Sequence, residues 1–239
     1  MSGTQRWLVL RLEAPLVAFG GVAIDAIGVT RDFPAASMLT GLLANALGWQ
    51  RTDRAAHQSL QDRLVFAVRR DRENPAGVLT DTHNVQLGKN DRGWTTWGRP
   101  EGRDGASYSA PHRRQRDYHV DACITVVLRL DPADTMPDLA ALAAALDRPA
   151  RPLFIGRKPC LPSGLIQRGE IIAATAYDAL CAAPRIELHR TRALWPASEG
   201  PQTGDDVARV VALPDLRNWE TGLHGGDRLV VEGALTVLP

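Results

Sequence analysis

Apolar and polar positions alternate from residue 6 to 12, Arg6-Trp-Leu-Val-Leu-Arg-Leu12, in a stretch rich in β-formers, which predicts a first strand. The runs at 64–70 and 122–130 predict a second and a third. The near-continuous apolar character of the third suits a strand buried on both faces. Helical spacing takes over at Leu39, Leu42, Leu43 and Ala46, which recur at i, i+3, i+4 and i+7 as one buried face. Pro34 bars helix before it, Ser37 is a suitable N-cap, and Gly48 is a suitable stop, so a helix is predicted over 37–47. A second helix of strong formers is predicted over 138–147, halted by Pro149 and Pro152. A short strand at 153–155 follows it.

The predicted order is β, α, β, long insertion, β, α, β, an α+β arrangement that matches the split βαβ pattern called ferredoxin-like, the topology of RRM domains. Stretches at 171–177, 185–189, 207–213 and 228–238 predict further strands joined by Pro and Gly turns. The expected organisation is a ferredoxin-like domain over 1–160 and a smaller β-rich part over 161–239. The insertion, about 71–119, holds six glycines, Trp94, Trp97 and Tyr108 without a convincing period. Loops of that length in compact domains are functional or disordered.

Charge adds little in total and more in its distribution. The 239 residues carry a net charge of +1. From Lys89 to His119, however, seven basic residues face four acids, and from Arg151 to Gly169 four basic residues face none. Such concentrated basic segments suit contact with a local polyanion. They also suit solvated loops. Three widely spaced cysteines without a CxxC point to thiols in a reducing compartment. The histidines show no metal-binding spacing, so no metal or other cofactor is expected. There is no signal peptide pattern, and no apolar run near the ~20 residues that span a bilayer, so a cytoplasmic protein without membrane contact is expected.

Motifs exclude more than they assign. No GxGxxG is present, and Gly88-Lys89 is followed by Asn90 where a phosphate loop needs Ser or Thr, which disfavours nucleotide hydrolysis. No GxSxG elbow appears. Two segments are candidates for phosphate contact. In Phe154-Ile-Gly-Arg-Lys158, Gly156 permits close backbone approach, Arg157 and Lys158 are adjacent cations, and Phe154 offers a stacking face. A strand end with Phe154 in the core would read the same way. In Arg113-Arg114-Gln-Arg116-Asp-Tyr118, arginines interleave with a ring that can stack. A charged strand mouth is the alternative. Trp94 and Trp97 are either a hydrophobic anchor beneath the loop or a contact for another protein.

Taken in order, five phrases resemble the CasD family, the subunit of type I-E CRISPR surveillance complexes (Cascade) that belongs to the repeat-associated RNA-binding superfamily. They are Leu8-Val-Leu-Arg-Leu-Glu-Ala-Pro15 with Phe19-Gly20; Phe33-Pro-Ala-Ala-Ser37 through Gly48; Asp81-Thr-His83-Asn-Val85; Arg116-Asp-Tyr118 through Asp121-Ala122; and Phe154-Ile-Gly-Arg-Lys-Pro-Cys160. The likeness runs through most of the first 170 residues and fades beyond them. It implies a non-catalytic protein that caps the 5′ handle of the crRNA, with a thumb hairpin at about 78–119 that meets a backbone subunit. The same protein helps seat the large subunit, so that it meets target DNA only indirectly. Carried over by motif, the RNA-binding residues would be Arg31, Ser37, His83, Arg113, Arg114, Arg116, Tyr118, Phe154, Gly156, Arg157 and Lys158, with Trp94 and Trp97 at a protein interface. The family's basic residue before the helix serine is replaced by Ala35-Ala36, and Arg31 would compensate. The rival reading is a metal-independent endoribonuclease acting on repeat RNA, with His83, His112 or His119 as base and Lys89 or Lys158 as cation.

Overall fold

The structure is a computed structural model that describes residues 3–21, 23–24, 26–73, 77–86, 88, 92, 112–186 and 190–236. Trp94, Trp97 and Lys89 lie outside the described residues, as does the side chain of His112.

The first strand, β1 (Gln5–Glu13), is followed by the short strands β2 (Leu16–Val17), β3 (Ala23–Ile24) and β4 (Ile27–Gly28). Helices α1 (Ala36–Ala46) and α2 (Arg54–Arg63) lead into β5 (Leu64–Arg72), then β6 (Val78–Val85), β7 (His112–Val120) and β8 (Cys123–Leu130). Helix α3 (Leu139–Asp147), β9 (Gln167–Ala173), α4 (Ala176–Ala182), β10 (Thr191–Pro196), β11 (Val207–Leu213) and β12 (Arg228–Leu235) complete the chain. Among the described residues, seven strands form one antiparallel sheet in the order β11-β12-β10-β5-β8-β1-β9. A smaller sheet is built on β7, which pairs with β6 along its length, antiparallel to β2 and parallel to β4.

The middle of the main sheet is covered on both faces, which explains the apolar runs Trp7–Leu10 in β1, Leu64–Val68 in β5 and Val126–Leu128 in β8. From β1, Leu8, Leu10 and Leu12 join the cluster beneath α1 and α3, while Trp7 and Val9 join the cluster beneath α4. Strand β8 divides in the same way, with Ile124, Val126 and Leu128 on one side and Val127 on the other. The predicted stripe of α1 is its buried face: Leu39, Leu42, Leu43 and Ala46 are all in the core. Each such leucine contributes about 1.5–3 kcal/mol by leaving water. Gly48 ends α1 with φ +82°, where Gly48 N–H donates to Asn45 O and Trp49 N–H to Ala44 O. Helix α3 starts as predicted, with the Asp138 carboxylate accepting from Ala141 N–H at 2.8 Å.

Four expectations are corrected. The segment 153–155 forms no strand; it opens a tight loop in which Ile155 N–H donates to Cys160 O, and β9 takes the place beside β1 instead. The boundary near 160 therefore precedes a strand of the main sheet. Residues 176–177, read as strand, begin α4, because the Thr175 hydroxyl accepts from Asp178 N–H and caps it. Residues 185–186 lie outside any strand, residues 187–189 lie outside the described residues, and β10 begins at Thr191. Finally, α1 begins one residue early, at Ala36, and Ser37 does not cap it. The three cysteines are free thiols; burial, with Glu13 and Asp71 nearby, pushes Cys123 up to about 12.

Candidate nucleic-acid interface

A groove of about 840 Å³ opens where three segments of distant sequence meet. One wall is the exposed face of α1 with Ser37, Gly41 and Asn45. A second is the loop with Phe154, Gly156 and Arg157. The third is the loop at 214–225, which brings Asp215, Arg217, Trp219 and His224. Arg31, Trp49, Arg51, His57 and Arg151 complete the lining. The only acid among the described lining residues is Asp215, and it is already engaged. Its carboxylate accepts from Arg228 Nε and Nη2 at 2.8–3.0 Å and from Ala36 N–H at 3.1 Å. The groove thus presents arginines and aromatic rings with no available counter-charge of its own.

The loop at 154–160 owes its shape to Gly156. Its φ is +87°, and a Cβ there would stand 1.6 Å from Ala18 O, so the backbone of this loop packs directly on the end of β2. The glycine therefore serves packing within the chain, Ile155 beside it is core, and Phe154 and Arg157 line the groove. Phe154 lines the groove half-buried. Lys158 is exposed.

Arg157 is the hinge between this groove and the β6–β7 hairpin. Its guanidinium donates to the carbonyls of Asp117 at 2.7 Å, Gly28 at 2.8 Å and Val29 at 3.2 Å, and lies over the Tyr118 ring, 4.9 Å from its centre. Arg116 reaches the same place, donating to the carbonyls of Gln115 and Ala26. A Cβ on Gly28 would lie 3.0 Å from Arg116 Cδ and 3.2 Å from Arg157 Nη2, so this glycine makes room for both. The hairpin register sets His83 opposite Arg114 and Asp81 opposite Arg116. Opposed residues and their i±2 neighbours share a face, so Arg114, Arg116 and Tyr118 line one side of β7 with His83 beside them.

The predicted residues divide by what holds them. Phe154, Arg157, Gly156, Ser37 and Arg31 come together in the groove. Arg113, Arg114, Arg116 and His83 lie on the hairpin, where His83 pairs with Asp81 and Arg113 is exposed. Tyr118 is 3% exposed and belongs to the core, with Arg157 covering its ring, so it has no open face for a base. The N–H groups of α1 are not open to a phosphate either. Ala36 N–H and Ser37 N–H donate to the Asp215 carboxylate and carbonyl, and Met38 and Leu39 donate to Ala35 O. Arg31 is braced by Pro214 O at 2.7 Å.

Sequence reading missed the third wall entirely. Trp49 meets His57 edge to face with ring centres 5.6 Å apart, His57 lies tilted against Trp219 at 4.7 Å, and Arg217 lies over the Trp219 ring at 5.0 Å. Arg217 and Trp219 carry no periodic or motif signal, and their bonds to Gln58 and Gln61 of α2 bring them to the groove. Of the candidate bases, His119 is 2% exposed, with Nε2 2.8 Å from Arg31 O, and so faces the interior rather than a ribose.

Comparison with known proteins follows the same outline. The family model described as CRISPR-associated protein (Cas_Cas5) matches residues 7–231. The CRISPR system Cascade subunit CasD of Escherichia coli (strain K12) is 34% identical over 154 residues, 64% of this chain. That match spans 66% of the relative, just under two thirds of its length. Among solved structures, a chain of a CRISPR RNA-guided surveillance complex superposes with a TM-score of 0.65 at 24% identity, covering 96% of this chain and 90% of that one. A crystallised Cas protein gives 0.62 at 24% identity, with 96% and 95% covered.

Proposed function

The chain belongs to the CRISPR-associated protein (Cas_Cas5) family, and from that premise we propose that it is a guide-RNA-binding subunit of a type I-E surveillance complex, a Cascade. In this reading it holds the 5′ handle of the crRNA, performs no chemistry of its own, and works in the cytoplasm without a membrane partner. Strands β9-β1-β8-β5, with α1 and α3 as crossovers, are its ferredoxin-like unit, and the order and antiparallel sense of those strands support that assignment. The β6–β7 hairpin is the base of a thumb directed at a backbone subunit, with Trp94 and Trp97 at the protein contact. The large subunit that engages target DNA docks against the same protein.

One observation carries the proposal: a groove lined by Arg31, Arg51, Arg157, Arg217 and Phe154 contains a single acid, and that acid is neutralised by Arg228. Cations without counter-charge attract a phosphate backbone, and an accessible ring binds a base in any sequence context. The continuation of this surface through Arg157 onto Arg116 and Arg114 suits an extended single strand rather than a small ligand.

The test is titration of the whole protein with crRNA over a salt series. Affinity should fall with log salt at a slope of about 0.7 per phosphate contacted. The double variant Phe154→Ala with Lys158→Ala should weaken binding, and unchanged occupancy would sink the proposal. Repeat RNA incubated with the protein in EDTA should stay intact; discrete cleavage products would instead establish the ribonuclease.

A further inference from the structure

The loop at 214–225 is built with more backbone support than a connection needs. Leu216 O accepts from Gly225 N–H, Arg217 bridges to His224, and Asn218 N–H donates to Leu223 O, so the loop folds back as a small hairpin. Helix α2 then fastens it. Gln61 bonds both backbone groups of Arg217, at 2.9 and 3.1 Å, and accepts from Trp219 Nε1 at 3.1 Å. Gln58 accepts from Trp219 N–H at 3.0 Å, and Arg54 donates to Glu220 O at 2.8 Å.

All this fixes the backbone of Arg217 and leaves its guanidinium without an anion. Among the described residues that group makes no hydrogen bond or ion pair, and its Nε is buried without a partner. It rests on the Trp219 ring, beside Gly222. Its charged surroundings are cationic. Burial first, and then the charge of Arg51, pushes Arg217 below its ordinary value. His224 is pushed down by burial and by the charges of Arg217 and Arg31. Asp215, the acid next to it in the loop, is committed to Arg228 and Ala36. A protein that orients an arginine this carefully, and surrounds it with like charge, has built half of an ion pair.

We propose that Arg217 and Arg51, flanked by His224, form an oxyanion site at the third wall of the groove, taking a phosphodiester of the bound strand. The site rests on the guide-RNA reading for the identity of that strand, and on the groove alone for the chemistry of the anion. It places one half of a phosphate clamp in the C-terminal part of the chain, outside the five phrases on which the sequence resemblance rests. The wall is then a binding surface and not merely a cover for α1.

Two probes test it on the whole protein. Inorganic pyrophosphate should raise the melting temperature of the unmodified chain and do so less for Arg217→Met and Arg51→Met, each of which keeps an apolar stem. With crRNA, Arg217→Met should lose about tenfold in affinity, the equivalent of ~1.4 kcal/mol, and its salt slope should drop by about 0.7. Melting without any anion serves as the folding control, and Arg217→Lys should recover part of the pyrophosphate effect. If both methionine variants match the unmodified chain in pyrophosphate stabilisation and in salt slope, the oxyanion site is overturned while crRNA binding stands. If the unmodified chain fails to bind crRNA yet pyrophosphate still discriminates the variants, the guide-RNA reading falls and the oxyanion site stands.

Discussion

Asp215 caps helix α1 from 179 positions away: its carboxylate accepts from Ala36 N–H at 3.1 Å, and its carbonyl accepts from Ser37 N–H at 3.2 Å. A local cap would be supplied by the residue at the start of the helix, which here is Ala35, and alanine has nothing to offer. The chain solves the problem with a buried ion pair, since the same carboxylate takes the Arg228 guanidinium. That guanidinium in turn lies 4.1 Å from the centre of the Phe66 ring. One side chain thereby ties α1 to β12, and with it fixes the distance between the first and third walls of the groove.

Replacing Asp215 should therefore be costly. Asp215→Ala removes the cap and leaves Arg228 as an uncompensated, largely buried charge, a change that costs about 3–5 kcal/mol. Chemical denaturation reads the loss directly. A variant within 1 kcal/mol of the unmodified chain, a threshold well below that estimate, would show that the pair is not what holds α1 to the C-terminal strands.

A second prediction concerns Gly156. Gly156→Ala must accommodate a Cβ that overlaps the Ala18 carbonyl, in a backbone conformation that disfavours L-residues by about 1–2 kcal/mol on its own. The loop can only respond by moving away from β2, and Arg157 moves with it. Both the melting temperature and crRNA affinity should fall. A variant that melts normally and binds normally would contradict the close approach.

The parts of this fold that a linear reading captures are those whose signal is local. Leu39, Leu42, Leu43 and Ala46 bury one helical face, Gly48 stops the helix, and the apolar run of β8 occupies an inner position because both its faces are covered. Two of the failures are local signals overruled by a distant partner. Ser37 is a good cap by composition, yet Asp215 reaches the helix end first. The 153–155 stretch has strand composition, yet β9 holds the place beside β1. The candidate site follows the same rule. Phe154 and Arg157 stand in a recognisable phrase and reach the groove, whereas Trp219 and Arg217 reach it only through contacts to Gln58 and Gln61 on α2. Helix α2 itself carries little apolar periodicity to announce it: its buried residues are His57, Leu60, Gln61 and Arg63.

Phe154 and Arg157 should separate in their effects, although they are neighbours in one loop. Phe154→Ala removes a half-buried ring from the groove wall and should lower crRNA affinity by about 1–3 kcal/mol, the contribution of one stacked base, with a small change in melting. Arg157→Ala deletes three bonds to backbone carbonyls and the contact with Tyr118, so it should lower melting as well as binding. Phe154→Tyr should bind normally, since it keeps the ring. Equal loss of melting in the two alanine variants would place Phe154 in the core and not in the groove.

The last prediction is a pH dependence centred on His119. Its Nε2 lies 2.8 Å from the Arg31 carbonyl, an acceptor, so Nε2 carries the proton, and Nδ1 is buried without a partner among the described residues. Burial is the main force holding this imidazole below its ordinary 6.5; the charge of Arg70 adds to it, against the opposing pull of the Arg31 carbonyl, Asp32 and Glu73. In the unfolded chain the ring takes up a proton near its ordinary value, while in the folded chain it resists, so the unfolded state binds more protons as pH falls through 6.5. The stabilisation by neutral His119 is thus complete above that value and is lost progressively below it, until the folded pKa is passed. His224, depressed by burial and by Arg217 and Arg31, acts in the same direction. The melting temperature should fall between pH 7.5 and 5.5, a window set around that ordinary value, and His119→Gln should flatten the decline while starting from a lower stability at the upper end. A decline of equal steepness in the variant would mean that the proton is taken up elsewhere.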